Sequence, residues 1–179
     1  MTSITGWPNP TQSIGLASCL LAFVCCAIAW IRGRSVPLLR KLSAILTVLE
    51  AALFLDMAFN GRWLLHDWLE NQAIARGLYD LRTVPQIVAL CFLGGCAATG
   101  IALVLWHLRG KAGAALAACG GILSVGCWCV EVVSLHAVDH VLYSTVDGVM
   151  LVALAWIASA IMTGAGILWH LFAFRAHAR

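Results

Sequence analysis

Several uninterrupted apolar stretches of about 20 residues restrict the fold of this chain more than any other feature of its sequence. Because a helix rises about 1.5 Å per residue, a stretch of that length crosses the roughly 30 Å hydrocarbon core of a bilayer. Only 11% of the 179 residues are charged and 62% are hydrophobic, whereas a soluble domain has about 25% charged residues. We therefore expect an all-α, polytopic membrane helical bundle in contact with a lipid bilayer.

Five stretches have the length and composition of a transmembrane helix. Their approximate bounds are 13–31, 37–60, 85–106, 112–133 and 148–172. A peripheral first stretch would leave four spans, and this alternative stays open. Residues 62–76 place Leu64, Trp68 and Leu69 beside charged neighbours and predict an amphipathic helix on the outer surface. No linker divides the chain, so residues 1–179 are expected to form a single integral-membrane bundle.

Basic residues are distributed unevenly between the two sides of the predicted bundle. Eight fall on one side, namely Arg32, Arg34, Arg40, Lys41, Arg109, Lys111, Arg175 and Arg179. The other side receives Arg62, Arg76 and Arg82. Because lysine and arginine concentrate in cytoplasmic loops, we predict a plasma-membrane or inner-membrane protein with its N-terminus outside and its C-terminus in the cytoplasm. No basic stripe with interleaved aromatic residues is present, so we expect no nucleic-acid partner.

Residues 131–147, EVVSLHAVDHVLYSTVD, concentrate ionisable side chains between two apolar spans. The sequence leaves open whether they form one helix or a turn between two. On one continuous helix, an arc of about 100° would contain the side chains of His136, Asp139, His140, Tyr143 and Asp147. Glu131 would then point to the opposite side of the helix. The spacing of His136 and His140 lets two imidazoles on one helical face bind the same metal ion.

Further ligands for such an ion would come from Asp139 or from other segments. Asn60 lies near the outer end of the second span, and His66 follows on the surface helix. The predicted metal site on the non-cytoplasmic face therefore consists of His136, His140, Asp139, His66 and Asn60. A transition metal is the expected ion. Two other interpretations stay open: a polar network that only fixes the hairpin tip, and a transient substrate pocket.

Two acidic residues of the second span are candidates for a catalytic role. Glu50 lies near the middle of that span, where a carboxylate costs several kcal/mol unless it is paired, protonated or hydrated. We therefore expect Glu50 to face the bundle interior or a wet cavity, where it could move protons. Asp56 lies six residues further on, near the outer end.

Two similar segments, TGIALVLWHL (99–108) and TGAGILWHLF (163–172), each carry a Trp-His pair near the cytoplasmic side. Two histidines at equal depth on different spans could ligate a haem b, so His107 and His170 are candidate cofactor ligands. In histidine placement this is similar to transmembrane b-type cytochromes. The competing interpretation is that the tryptophans belong to an interfacial belt.

Small residues and cysteines give expectations about packing rather than chemistry. The third and fourth spans contain LGGCAATG and KAGAALAACGGILSVG, which let helix backbones approach closely in lipid. These two spans are expected to be central in the bundle or to face a partner subunit. All eight cysteines fall inside predicted spans, and we expect them to act as small apolar side chains.

Three classes of function fit this sequence. The first is an integral membrane protein whose outer His/Asp-rich site binds a metal or haem for redox chemistry or metal handling. The second is a non-catalytic accessory or assembly subunit of a larger membrane complex, or a homo-oligomer. The third is a small transporter that uses Glu50. An intramembrane zinc hydrolase has the necessary residue types but no recognisable motif.

Overall fold

The computed structural model describes residues 10–146 and 148–177, with the side chains of His136, Ala137 and residues 175–177 outside the description. The described chain is helical apart from its turns and one very short hairpin. In chain order, the elements are α1 (Pro10–Arg32), α2 (Pro37–Phe59), α3 (Gly61–Ala75), a 3-10 turn (Tyr79–Leu81), α4 (Thr83–His107), α5 (Ala112–Val133), α6 (His136–Leu142), β1 (Thr145–Val146), β2 (Val149–Met150) and α7 (Leu151–His177). The two strands pair antiparallel, with Thr145 opposite Met150.

Helices α1, α2, α4, α5 and α7 of the described chain are each long and apolar enough to cross a membrane. The prediction of an all-α bundle with five such helices is therefore confirmed. The last helix begins at Leu151, three residues after the predicted start at 148, because the β-hairpin occupies the preceding residues. Helix α3 corresponds closely to the predicted amphipathic helix at 62–76.

The helix boundaries follow from local backbone chemistry. Proline occupies the first turn of α2, where its missing N–H would have no helical partner in any case. Asn60 ends α2 in the left-handed conformation, with φ 55° and ψ 34°, and α3 begins at the next residue. A Cβ atom at Gly61 would lie 2.6 Å from Oδ1 of Asp56. The turn therefore needs glycine at this position, because the Asp56 carboxylate approaches the start of α3 closely.

The described residues 131–146 do not form one helix, so the alternative of a turn between two helices is the correct one, and His136, Asp139 and His140 share the second helix. Helix α5 ends at Val133, and Ser134 takes a positive φ of 46°. Helix α6 then starts at His136 in a new direction. Glu131 and the histidines therefore lie on different helices, and the predicted orientation of Glu131 on the opposite side of one shared helix does not apply. Asp147 lies outside the described residues.

Helix α5 holds the bundle together through small residues that face α7. A Cβ atom at Gly120 would lie 2.5 Å from the Thr163 nitrogen, and one at Gly166 would lie 2.5 Å from the Ala117 nitrogen. Such contacts between backbones are the expected use of small residues in lipid, where packing drives helix association. Helix α1 completes the core by packing against both α2 and α7, and Cys19 and Cys26 are among its buried apolar side chains.

Helix α4 is peripheral, so of its two predicted positions, central in the bundle or facing a partner subunit, the central one is wrong. It packs against α5 and the adjacent 3-10 turn, and none of its residues, all of which are described, is buried. A Cβ atom at Gly94 or Gly95 would meet nothing within 4 Å. Gly94 and Gly95 therefore do not mediate close helix packing within the described chain, whereas a Cβ atom at Gly100 would contact Ile122 of α5 at 3.4 Å.

The five long helices alternate in direction, so the ends of α2 and α5 meet the starts of α1, α4 and α7. We call this region, with α3 lying across it, the α3 end of the bundle. Gln12 of α1 donates a hydrogen bond to the Met57 carbonyl of α2 here. Gln86 of α4 likewise donates to the Val133 carbonyl of α5. The connection between α1 and α2, which carries Arg34 and has Arg32 and Arg40 in the adjoining helix ends, lies at the opposite end.

The packing of α5 on α7 gives a first prediction. Gly120→Ala should lower the free energy of unfolding by about 1–3 kcal/mol, the usual cost of overpacking, because the added methyl meets α7 backbone. Gly126→Ala is the matched control, since a Cβ atom there meets nothing within 4 Å. Both changes raise helix propensity equally, so unfolding by denaturing detergent compares the contact alone. Equal stability of the two variants would contradict the described packing.

Candidate functional site

A buried ion pair joins α3 to α5 at the α3 end. Nε of Arg62 lies 2.6 Å from Oε2 of Glu131, and the two residues are only 8% and 3% exposed. Nε1 of Trp156, on α7, donates a hydrogen bond of 2.8 Å to the other carboxylate oxygen. Three separate segments therefore converge on one carboxylate, and α3 is held against the ends of the long helices.

A second carboxylate lies beside the same guanidinium. Oδ2 of Asp56 is 3.8 Å from Nη1 of Arg62. This places two acidic groups around one arginine. Asp56 also lies at the start of α3, where the helix dipole favours a negative charge.

Several buried polar atoms at this end have no hydrogen-bond partner within the described chain. They are Oδ2 of Asp56, Nε and Nη1 of Arg62, Nε1 of Trp128, Oδ1 of Asp139 and the Tyr143 hydroxyl. Arg62 and Glu131 thus attract each other by charge at short distance, without an aligned hydrogen bond. An unpaired buried polar atom lowers the stability of a fold by about 1–3 kcal/mol. These atoms are therefore donors and acceptors that could still form hydrogen bonds.

Helix α6 adds an acid and a phenol to this region. The Ser134 hydroxyl donates a hydrogen bond of 2.5 Å to Oδ2 of Asp139, which fixes the carboxylate against the turn after α5. The ring of Tyr143 lies 6.1 Å from that of Trp63 on α3. Burial raises the pKa of Tyr143 above its ordinary value, and the negative charges of Glu131 and Asp139 raise it further. Tyr143 therefore stays a neutral hydroxyl at physiological pH.

A cavity of about 420 Å³ lies beside the ion pair, between α3, the 3-10 turn, α4 and α5. We call it the α3–α4 cavity. Its polar residues are His66, Glu70, Arg82 and Gln86 together with Ser134 and Tyr79, and its apolar residues are Leu69, Ala73, Leu78, Pro85, Ala89, Val132 and Val133. The wall of the cavity is thus mostly apolar and includes a few charged and polar side chains.

Hydrogen bonds to the end of α5 position two of the polar side chains. Nδ1 of His66 is 3.2 Å from the Val132 carbonyl. The amide of Gln86 donates to the carbonyls of Val133, at 3.2 Å, and Ser134, at 2.9 Å. These carbonyls have no helical partner because α5 ends here. The walls contributed by α3 and α4 are therefore tied to α5.

The charged pair of the cavity is partly open to its surroundings. Nη1 of Arg82 lies 3.9 Å from Oε1 of Glu70, and the two side chains are 26% and 36% exposed. The Arg82 guanidinium lies over the Tyr79 ring at 3.6 Å from its centroid, a cation–π geometry. Nε2 of His66 is 3.9 Å from the other oxygen of Glu70.

Three neighbouring side chains of α3 could share one metal ion. His66, Asp67 and Glu70 each offer a ligand atom, and these atoms lie within 4.8 Å of one another. They form the one such group found among the described residues. Of the predicted ligands, it contains His66 alone.

The other predicted metal ligands lie in different surroundings. His140 is exposed, and the side chain of His136 lies outside the description. Asp139 bonds to Ser134, and Oδ1 of Asn60 accepts a hydrogen bond of 3.2 Å from Gln12. The HxxxH site therefore stays a prediction, while Asp139 and Asn60 each have a structural partner.

Glu50 faces the bundle interior, as expected for a carboxylate in the middle of a span. It is 1% exposed, and the Ser124 hydroxyl of α5 lies 3.5 Å from its Oε1.

The possible haem ligands are carried by helices on different sides of α5. His107 is exposed on α4, whereas His170 is half-buried on α7 close to Gly113. The haem stays a prediction.

Sequence reasoning missed the centre of the buried network, which consists of Arg62, Glu131 and Trp156. From the sequence, Arg62 is predicted only as an outer basic residue at the start of the amphipathic helix. A signal was available, because a carboxylate inside a span needs a partner. Arg62 is the first cation after the second span and follows directly on the Asn60-Gly61 turn.

The ion pair gives a second prediction. Arg62→Ala should lower the free energy of unfolding by about 3–5 kcal/mol, because it leaves the Glu131 charge buried without a partner. Arg76→Ala, at an exposed position just after α3, is the matched control. Adding Glu131→Gln to Arg62→Ala should restore part of the loss by removing the isolated charge. If Arg62→Ala unfolds at the same denaturant concentration as Arg76→Ala, the pair contributes no stability.

No protein-family model, curated protein or solved structure matches this chain.

Proposed function

We propose that this chain is an integral membrane protein that binds an amphiphilic small molecule in the α3–α4 cavity. The observation that carries the proposal is a cavity of about 420 Å³ whose mostly apolar wall includes a few charged and polar side chains. Its volume lies within the range of about 300–1,000 Å³ that is common for ligand sites. A few polar groups among apolar walls are the usual means of orienting such a ligand.

The surroundings of the cavity support a ligand that arrives from the membrane. Two of its walls, α4 and α5, are helices long and apolar enough to span a bilayer. A third wall, α3, exposes Leu64 and Trp68, as a helix lying in the interface plane would. A molecule with an apolar body and a small polar end would partition into the bilayer and meet the cavity from the side.

The tethered walls support binding in a preformed site. His66 and Gln86 bond to the end of α5, and the pair of Arg62 and Glu131 anchors α3 to the same helix. A site that is already ordered loses less entropy when a ligand binds. The ordered walls therefore favour a ligand-binding role for the α3–α4 cavity over a purely structural role.

The same proposal includes an orientation. The α3 end carries Arg62, Arg76 and Arg82, while the connections at the other end are richer in arginine and lysine. By the positive-inside rule, the α3 end faces away from the cytoplasm, with the N-terminus outside. The protein then resides in the plasma or inner membrane and takes its ligand from the outer leaflet side.

Filling the cavity gives a third prediction. Ala73→Trp should weaken binding of lysophosphatidylcholine, a single-chain amphiphile, at least tenfold, because the indole would occupy part of the cavity that Ala73 lines. Ala75→Trp is the control, since this exposed residue of the same helix does not line the cavity. Titration monitored by native mass spectrometry measures both. Equal affinity in the two variants would overturn the proposal, as would a failure of the unmodified protein to bind any of the amphiphiles tested.

A transition-metal site on α3 is a second candidate, favoured by the arrangement of His66, Asp67 and Glu70 within 4.8 Å. Imidazole and carboxylate are common zinc ligands, and the first and fifth residues of a helical segment lie on the same face. Such an ion would have Arg82 close by, since that cation lies 3.9 Å from Glu70. This neighbour opposes metal binding and ranks the metal below the amphiphile.

The metal candidate gives a fourth prediction. If the site binds Zn²⁺, the purified protein should take up one equivalent in a calorimetric titration, and His66→Ala should abolish the uptake. His140→Ala is the control, because His140 is exposed on α6 and outside this group. Uptake that survives His66→Ala but not His140→Ala would shift the site to the HxxxH pair. No uptake by the unmodified protein would remove the metal candidate.

A further inference from the structure

A second cavity of about 420 Å³ lies further from the α3 end, between α2, α4 and α5. It exists because α4 packs on α5 and leaves a gap toward α2. Apart from Cys96 and Cys129, its lining is aliphatic side chains and glycine: Leu42, Ile45, Leu46, Leu49, Leu93, Ala97, Gly100, Val104, Ala118, Gly121, Ile122, Val125 and Gly126. We call it the apolar groove.

The groove continues the line of the α3–α4 cavity along α4. Gln86 and Ala89 line the upper cavity, and Leu93, Ala97 and Gly100 line the groove. These residues follow one another at intervals of three or four, so they lie on one face of α4. On α5, Val133 of the upper cavity is likewise four residues from Cys129 of the groove. The seam between α4 and α5 is therefore polar at the α3 end and apolar below it.

The length of the seam restricts the ligand. From Gln86 to Val104 it covers 18 residue-to-residue steps of α4, or about 27 Å at about 1.5 Å per residue. One leaflet supplies only about half of the roughly 30 Å hydrocarbon core. An acyl chain that stays within its own leaflet would fill the upper part of the seam, whereas a longer unbranched or isoprenoid tail would fill all of it.

The charges of the upper cavity restrict the head of the ligand. Arg82 and Glu70 lie 3.9 Å apart and largely neutralise each other, so a net charge on the ligand has no counterpart there. If Nδ1 of His66 donates to the Val132 carbonyl, 3.2 Å away, the neutral imidazole keeps Nε2 as an acceptor. Arg82 then offers donors, while His66 and Glu70 offer acceptors. This set fits an uncharged head that carries carbonyl or hydroxyl oxygens.

We infer that the ligand is an isoprenoid quinone or its quinol, with the ring in the α3–α4 cavity and the tail in the apolar groove. A quinone carbonyl accepts hydrogen bonds from the Arg82 guanidinium, and a quinol hydroxyl donates to Glu70 or to Nε2 of His66. Both oxidation states therefore find partners in the same cavity. The inference concerns binding, and it rests on the proposed function.

The test, a fifth prediction, measures binding of ubiquinones with a long, a short and no isoprenoid tail to the full chain in nanodiscs. We expect affinity to rise with tail length. Gly126→Leu should weaken binding of the long-tailed form at least tenfold and leave the tailless form unchanged, because Gly126 lines the groove and has open space beside it. Gly95→Leu is the control, since it adds the same side chain to an open surface outside the groove.

A second variant distinguishes a specific loss of binding from misfolding of Gly126→Leu. Ala97→Leu enlarges a side chain on the α4 wall of the groove and should reproduce the effect of Gly126→Leu. Affinity that is independent of tail length, or equally affected by Gly95→Leu, would overturn the placement of the tail and with it the inference. Binding of lysophosphatidylcholine without binding of any quinone would overturn the inference and leave the proposed function intact. Failure of both ligands would overturn both.

Discussion

The contact between Arg62 and Glu131 is the interaction on which the α3 end of the bundle depends. A carboxylate in the last turn of a helix as apolar as α5 has little access to water, so a cation or a donor must reach it. Arg62 does so at 2.6 Å from α3, and Trp156 donates from α7. Because of this requirement, α3 packs across the end of the bundle. The α3–α4 cavity lies beside the pair, against the last turn of α5.

Helix α5 packs closely against α7 on one face and loosely against α4 on the other. Toward α7, Gly113 and Gly120 allow backbone contact, which leaves no space between the helices. Toward α4, Gly126 meets nothing within 4 Å, and a cavity remains. The same residue type thus serves close packing on one face and an open groove on the other. Our proposals for ligand binding lie on the loose side, where a ligand can enter without displacing a helix.

Part of the candidate site could be predicted from the sequence. The interior position of Glu50 followed from the cost of a charge at that depth, and His66 was recognised as part of a polar surface helix. The HxxxH pair falls within one short helix, α6, because the break at Ser134 precedes His136. Whether His136 and His140 bind an ion remains a prediction. The roles of Arg62, Glu131 and Trp156 were missed because they depend on three segments that are distant in sequence.

The sequence by itself determined that this is an all-α chain with five helices long and apolar enough for a membrane, together with their approximate bounds. These properties depend on composition and on local signals such as Pro37 and the Asn60-Gly61 turn, which act within a few residues. The tertiary structure decided that α4 is peripheral, that α5 breaks at Ser134, and that two cavities follow one seam. The physical reason is that helix propensity is local, whereas partners for buried charges and the fit of backbone against backbone are set by residues far apart in the chain.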